Sequence, residues 1–406
     1  MLPCKRRLAA WIDDAGFGKQ AHRAREPMVQ ILRNWWPVFA ALLLVQMGNG
    51  LSSSLISIAG EARSFAPFLQ GLVLSSFFAG SVAGAAAAPF VIRRTSHAFA
   101  AVAFTIALAA TTLGFALFDD PWMWVVTRLL AGAAITGMFT TVESWLSLSI
   151  ADSIRGRVFS MYILIQLSGL ASGQLLISAR GIGEDVLFVF SAIVIGLSAI
   201  AYRTERIEHP VVEAPRHISF AQMVARAPMG SLCIALSGFS WAGLMASGPA
   251  TLQMMGLSDI DKSLFMALAV LSGMASQLPA GWLADHLDRR LVLLVLSTGA
   301  ALAALVPLAG EGSTILFAFA ILYGAATFPL YAVGVARVSE VLHQNERTAA
   351  SAWMIIVFDI GAVIAPLALA TSSASLGASG YFLLLALPQA IYALATLASL
   401  SRRRAR

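Results

Sequence analysis

Charge is what this chain has least of. Asp, Glu, Lys and Arg make up 12% of its 406 residues, about half the share found in soluble domains, so it lacks the polar groups to cover a water-facing surface. Cysteine is scarcer still: Cys4 and Cys233 are the only two. They lie far apart without a His or Cys at metal-ligand spacing, which argues against a disulfide framework and against a zinc site. The GxxxxGK[ST] phosphate loop, the GxSxG nucleophile elbow and the HExxH metal helix are all missing. ATP-driven work and hydrolysis by this chain therefore lack support, no nucleophile-base pair stands out, and neither a cofactor nor a metal is expected.

What is present is apolar. Hydrophobic residues make up 58% and the mean hydropathy is +0.79, which describes an integral membrane protein. Twelve apolar stretches, at about 36–58, 66–92, 97–118, 121–150, 157–179, 185–202, 228–256, 262–284, 290–309, 312–336, 348–370 and 378–400, could each cross roughly 30 Å of hydrocarbon as a helix. Two long polar segments divide the chain into an N-terminal tail at 1–34, a six-helix bundle at 35–202, a central loop at 203–227, a second six-helix bundle at 228–401 and a basic tail at 402–406. The first segment has no clear apolar core before Ile31, so it is not a cleavable signal peptide. Because Met28 directly precedes VQILRNWWPVF, residues 1–27 read equally well as a tail or as a mis-assigned start.

The basic residues report topology. With both termini in the cytoplasm, twenty-three of the 27 Lys and Arg residues fall on the inside; Arg63, Arg180 and Lys262 fall outside and Arg128 lies within a span. That bias obeys the positive-inside rule and predicts a multi-pass protein of the inner membrane. It also accounts for the net charge of +6 without nucleic acid as a partner. Membrane lipids are the expected surroundings.

Three charged residues stand inside apolar spans. In RLLAGAAITGMFTTVESWLS (128–147), Arg128 and Glu143 are fifteen residues apart, about 22 Å along a helix and roughly 60° around it, so they share a face but cannot pair. Each stands roughly 10 Å from a helix end, within snorkelling reach of the headgroups. They read either as structural charges tying this helix to its neighbours or as groups that couple protons or bind a solute, with Glu143 favoured. Asp359, in MIIVFDIGAVIAP, lies near the middle of its helix, where a carboxylate costs about 2.5–3.5 kcal/mol on insertion scales. It reads as a proton or cation site, or as a neutral acid bonding two helices.

The two halves echo each other. Arg93-Arg94 and Arg289-Arg290 enter very short turns after the second and eighth spans, and RGRVFSMYILIQLSGLASG (155–173) parallels ERTAASAWMIIVFDIGAVIA (346–365). Within the second half, GWLADHLDRR (281–290) resembles the G-x-L-x-D-x-x-x-R-R signature of the major facilitator superfamily. VVTRLLAGAAITG (125–137) resembles that superfamily's helix-four motif, with Arg128, Gly132 and Gly137 in place. Together with VESWL, RGRVFSMYILIQLSGLASGQLLIS (155–178), SQLPAGWLADHLDRR and ATFPLYAVGVARVSE (326–340), the chain after residue 34 looks most like the YcaD-type branch. The GxxxGPxxGG pattern of drug/proton antiporters is absent; Gly169, Gly173 and Gln174 stand there instead.

The resemblance implies an all-α membrane fold of twelve helices in two pseudo-symmetric six-helix bundles, ordinarily monomeric, with helices one, four, seven and ten lining a central pocket. Gln46, Asn49, Trp241 and Tyr331 are then cavity-lining candidates, although packing or interhelical hydrogen bonding would also account for each. It implies a gate in which Gly281 and Leu283 allow close helix packing, Asp285 engages a neighbouring helix end and steadies the outward-open state, and Arg289 and Arg290 supply inner-face charge. The first-half copy, GAAAAPFVIRR (84–94), has Pro89 where the acid belongs, so the latch is expected on one side. The function expected is secondary active transport of a small solute across the inner membrane by alternating access, coupled to protons. The alternatives are an uncoupled facilitator and a non-transporting receptor or scaffold on the same fold.

Overall fold

The computed structural model describes residues 17–150, 152–178, 183–202, 218–310, 312–342 and 346–404, which are helical with no strand among them. The first half holds α1 (Phe17–Ala62), α2 (Pro67–Arg94), α3 (His97–Leu117), α4 (Pro121–Ser149), α5 (Asp152–Leu175) and α6 (Glu184–Ser198). The second holds α7 (Pro228–Met254, including a π-helical turn at Gly243–Ser247), α8 (Asp259–His286), α9 (Arg289–Leu305) and α10 (Ser313–Ser339). The last helical run, Arg347–Arg404, breaks at Gly377 (φ 62°, ψ −155°) into α11 (347–376) and α12 (378–404).

Helix starts follow local chemistry. Asp120 caps α4 by accepting from the backbone N–H groups of Trp122 and Met123, with Pro121 as its first residue. Ser96, Ser258 and Asp288 cap α3, α8 and α9 in the same way. Each cap satisfies donors that the helix cannot, which lets a span begin abruptly after a short turn. Eleven stretches are long and apolar enough to cross a membrane, and the last, Trp353–Ser399, is 47 residues long. With its break at Gly377 it makes two spans, giving the twelve expected.

The same helix pairs recur in both halves. In the first, α1 packs on α5, α2 on α4 and α3 on α6; in the second, α7 packs on α11, α8 on α10 and α9 on α12. Two glycines show how close these helices come. A Cβ at Gly132 in α4 would stand 1.8 Å from the Phe77 carbonyl oxygen of α2, and one at Gly361 in α11 would stand 1.8 Å from that of Ala235 in α7. No side chain fits at either point. Helices in lipid gain no hydrophobic drive from meeting each other, so this contact of backbone on backbone supplies the dispersion that holds them.

The halves meet along α2 with α11, α5 with α8, and α1 with the end of α7. Four hydrogen bonds cross this seam among the described residues. Ser57 Oγ accepts from Ala250 N (2.9 Å), Ser263 Oγ donates to Gln174 O (2.6 Å), Ser75 Oγ donates to Val363 O (2.7 Å) and Ser81 Oγ donates to Asp359 Oδ2 (2.8 Å). All lie at mid-span or toward the end remote from the chain termini. At that far end Arg63 meets Asp119, Glu184 and Asp185 while stacking over Trp124, and buried Lys262 pairs with Asp259 at 2.7 Å.

The polar segments are more structured than their composition predicts. Helix α1 runs back to Phe17 through what reads as tail, and the stretch read as central loop contains a short helix, Phe220–Arg226. A Ser219/Gln222 capping box starts that helix, and Trp353 Nε1 of α11 donates to Ile218 O at 2.8 Å just before it. The helix is amphipathic in effect, with Met223 fully buried. Residues 1–16, 203–217 and 405–406 of the tails and loop, and Arg180, lie outside the described residues.

Candidate functional site

A cavity of about 300 Å³ lies at mid-span between the halves. Gln46 and Asn49 of α1, Trp241 of α7, Tyr331 of α10 and Asp359 of α11, all expected from sequence, line it together. Asp359 is buried, and its Oδ2 accepts from Ser81 Oγ of α2, which in turn accepts from Thr136 Oγ1 of α4 at 2.8 Å. The single acid of α11 is thus anchored across the seam by two hydroxyls of the opposite half. Ser81 is its one hydrogen-bond partner among the described residues.

The rest of the wall is aromatic. Phe77 and Phe78 meet edge to face at 5.2 Å, Phe78 meets Trp241 across the seam at 6.1 Å, Trp241 meets Phe358 at 6.2 Å and Phe358 meets Tyr331 at 5.3 Å. Phe139 completes the lining. Apart from Trp241 and Tyr331, these rings escape a sequence reading, because phenylalanines in an apolar helix look like packing. The adjacent pair Phe77-Phe78 was the available signal: neighbours in a helix point about 100° apart, so one can pack inward while the other reaches the next element.

Arg128 and Glu143 stand outside this lining and are connected to it. Arg128 is buried at 3% exposure, so it does not snorkel as its distance from the helix end would allow. Its guanidinium lies 4.2 Å over the Phe77 ring, one of the cavity's walls, and Nη2 donates to Ser53 Oγ at 3.3 Å. Its Nε has no hydrogen-bond partner among the described residues. From Ser53 a string of bonds runs along α1 and across to α5: Ser53 Oγ donates to Asn49 Oδ1 (3.5 Å), Asn49 Nδ2 to Gln46 Oε1 (3.3 Å), and Gln46 Nε2 to Gln166 Oε1 (3.3 Å). One turn earlier on α5, Tyr162 donates its hydroxyl to Glu143 Oε1 at 2.9 Å. The two charges of α4, too far apart to pair, are therefore both tied to α5, one through α1 and one directly. The donors run in one sense, away from the cation.

The expected gate has a different geometry. A Cβ at Gly281 would meet nothing within 4 Å, and Leu283 is exposed, so neither packs helices together here. Asp285 is exposed, and its one ion pair among the described residues is with Arg289 Nη2, four residues on at the start of α9, at 3.8 Å. The stronger contacts belong to Arg289, whose Nη1 meets Glu340 Oε1, just past the C-terminus of α10, at 2.5 Å and Ala336 O of α10 at 3.4 Å. Glu340 also pairs with Arg337. Arg290 stands in the first turn of α9, its backbone N–H capped by Asp288. In this conformation the acid reaches only across the short turn to the start of α9, whereas the cation bridges α9 to the end of α10, and Glu340 is the partner that spacing could not reveal.

Comparison with known proteins agrees with this architecture. The family model described as Major Facilitator Superfamily matches residues 230–406, and the one described as Transmembrane secretion effector matches residues 53–232. The fold is similar to that of the nucleoside transporter NupG (TM-score 0.74, 14% identity, 89% of this chain and 97% of that one). It is also similar to a bacterial homologue of the human lysosomal transporter Spinster in an inward-facing, unoccupied conformation (TM-score 0.70, 16% identity, 88% and 96%). Both halves of the chain are thus similar to transporters of the major facilitator superfamily, and the chain is an integral, multi-pass membrane protein. Its similarity extends to the YcaD-like branch of that superfamily. It is 26% identical over 333 residues to the uncharacterized MFS-type transporter YcaD of Escherichia fergusonii, covering 81% of this chain and 86% of the relative. The YcaD of Salmonella arizonae is 26% identical over 336 residues, with the same coverage.

Proposed function

We propose that this protein is a secondary active transporter that carries a small solute across the inner membrane by alternating access, with protons as the coupling ion. The observation that carries the reading is Asp359, a buried acid held by Ser81 across the seam of the two halves. A group that binds solute or proton there is linked to the movement of one half against the other, because separating α2 from α11 removes the carboxylate's hydrogen-bond donor. Glu143, held by Tyr162, is the second titrating candidate. Arg128 sets the field behind the Phe77 wall. The hydrogen bonds crossing between the halves lie at mid-span and at the end remote from the termini, which supports a conformation closed at that end. With the termini in the cytoplasm, as the arginine bias predicts, this is the inward-facing state. Gly281 and Asp285 then await the inner closure in which α8 would pack on its neighbour.

Reconstitution into liposomes tests the reading. A pH gradient should drive solute accumulation in wild type. In Glu143→Gln, exchange down a concentration gradient should persist while gradient-driven accumulation falls by tenfold or more, and in Asp359→Asn accumulation should fall by at least as much. An unchanged rate and pH profile in both variants removes them from the mechanism. Flux indifferent to the pH gradient would leave a facilitator, and ligand binding without flux a receptor.

A further inference from the structure

We propose that the transported solute is an organic cation, a small molecule carrying an ammonium-like charge on an apolar body. This rests on the transporter reading and names the solute class for the same cavity. Three features of the cavity carry it. First, Asp359 is the one carboxylic acid in its lining, and no Lys, Arg or His lines it. Second, four rings, Phe78, Trp241, Phe358 and Tyr331, form a continuous wall around that carboxylate. An aromatic wall with one anion stabilises a desolvated cation by cation–π and Coulomb attraction. Third, the amides present are already engaged with one another, Asn49 to Gln46 and Gln46 to Gln166, so they offer little to a neutral polyol.

The nearby guanidinium does not cancel this. Arg128 is screened from the cavity by the Phe77 ring on which it lies, and it is engaged with Ser53. An anionic solute would have to meet Asp359 without touching a cation, and burying a charge without a partner is disfavoured. A second cavity supports the same conclusion independently. At the far end of the seam a space of about 290 Å³, between α1, α2, α7 and α11, holds Glu61 and again no basic residue. Two buried oxygens in its lining residues, Gln70 Oε1 and Ser247 Oγ, have no hydrogen-bond partner among the described residues. Both cavities at the seam of the halves thus offer acceptors and one carboxylate.

The test separates charge from shape. Binding to the purified protein is measured by equilibrium dialysis and thermal stability with benzyltrimethylammonium, with choline, with choline's charge-free isostere 3,3-dimethyl-1-butanol, and with benzenesulfonate. The cations should bind and raise the melting temperature, the neutral isostere and the anion should not. Asp359→Asn should weaken cation binding tenfold or more, and Phe78→Leu a few-fold. Should Asp359→Asn fail to melt cooperatively, Ser81→Ala, which removes the donor across the seam, and Trp241→Leu give the same readout. Equal binding of choline and its isostere, binding of the anion in preference, or no binding by either cation would overturn the class. Counterflow in liposomes keeps the two claims apart. Flux of the neutral or anionic probe without cation flux would sink the cation and leave a transporter, whereas cation binding with no flux would do the reverse.

Discussion

Arg128 illustrates what a single residue reveals and conceals. An arginine in an apolar span is expensive enough to announce itself in sequence, as Glu143 and Asp359 do. The partners of the two α4 charges are not legible there, because Phe77 and Ser53 at Arg128 and Tyr162 at Glu143 belong to other helices and spacing along α4 says nothing about which helices flank it. The stack on Phe77 requires a planar, delocalised cation. Arg128→Lys keeps the charge and loses the plane. We expect it to cost about 1–2 kcal/mol of stability, read as a fall of several degrees in the melting temperature of the detergent-purified protein. Ser53→Ala removes only the Nη2 contact and should cost less. A melting temperature for Arg128→Lys equal to wild type would mean that the stack contributes nothing.

At the scale of the helix, small residues decide where backbones touch. Gly132 and Gly361 each face a carbonyl at a distance no Cβ tolerates, in the α2·α4 and α7·α11 pairs. Gly132→Leu and Gly361→Leu should prevent recovery of monodisperse protein, since the facing helix would have to move by more than an ångström. Gly281 offers the control. With open space where its Cβ would stand, Gly281→Ala should leave the melting temperature unchanged, and should slow transport if the inner end of α8 closes during the cycle. The twelve spans were legible because length and hydropathy are one-dimensional properties. The Phe220–Arg226 helix and the extension of α1 to Phe17 were not, because polar helices carry no apolar run to mark them. The conversion of the Asp285 latch into an Arg289–Glu340 bridge was likewise hidden, being a property of one conformation and not of the motif.

At the scale of the whole molecule, the two halves are joined at one end and across the middle by hydrogen bonds, and each half repeats the other's helix pairing. Rocking between them would break the far-end bonds, such as Ser57 with Ala250, and would bring Asp285 and Gly281 toward a neighbour. The most direct measurement fixes that end shut. Ser57 Oγ and the Ala250 N–H are 2.9 Å apart, which puts the two positions in contact across the seam; a disulfide there needs Cβ atoms about 3.5–4.5 Å apart, so its formation is verified by mass before flux is read. In a background of Cys4→Ala and Cys233→Ala, Ser57→Cys with Ala250→Cys is reconstituted, and solute flux is followed under oxidising and then reducing conditions. Alternating access predicts that oxidation abolishes flux and that reduction restores it, with binding from the open end retained throughout. Flux at the reduced-state rate in fully cross-linked protein would contradict the account.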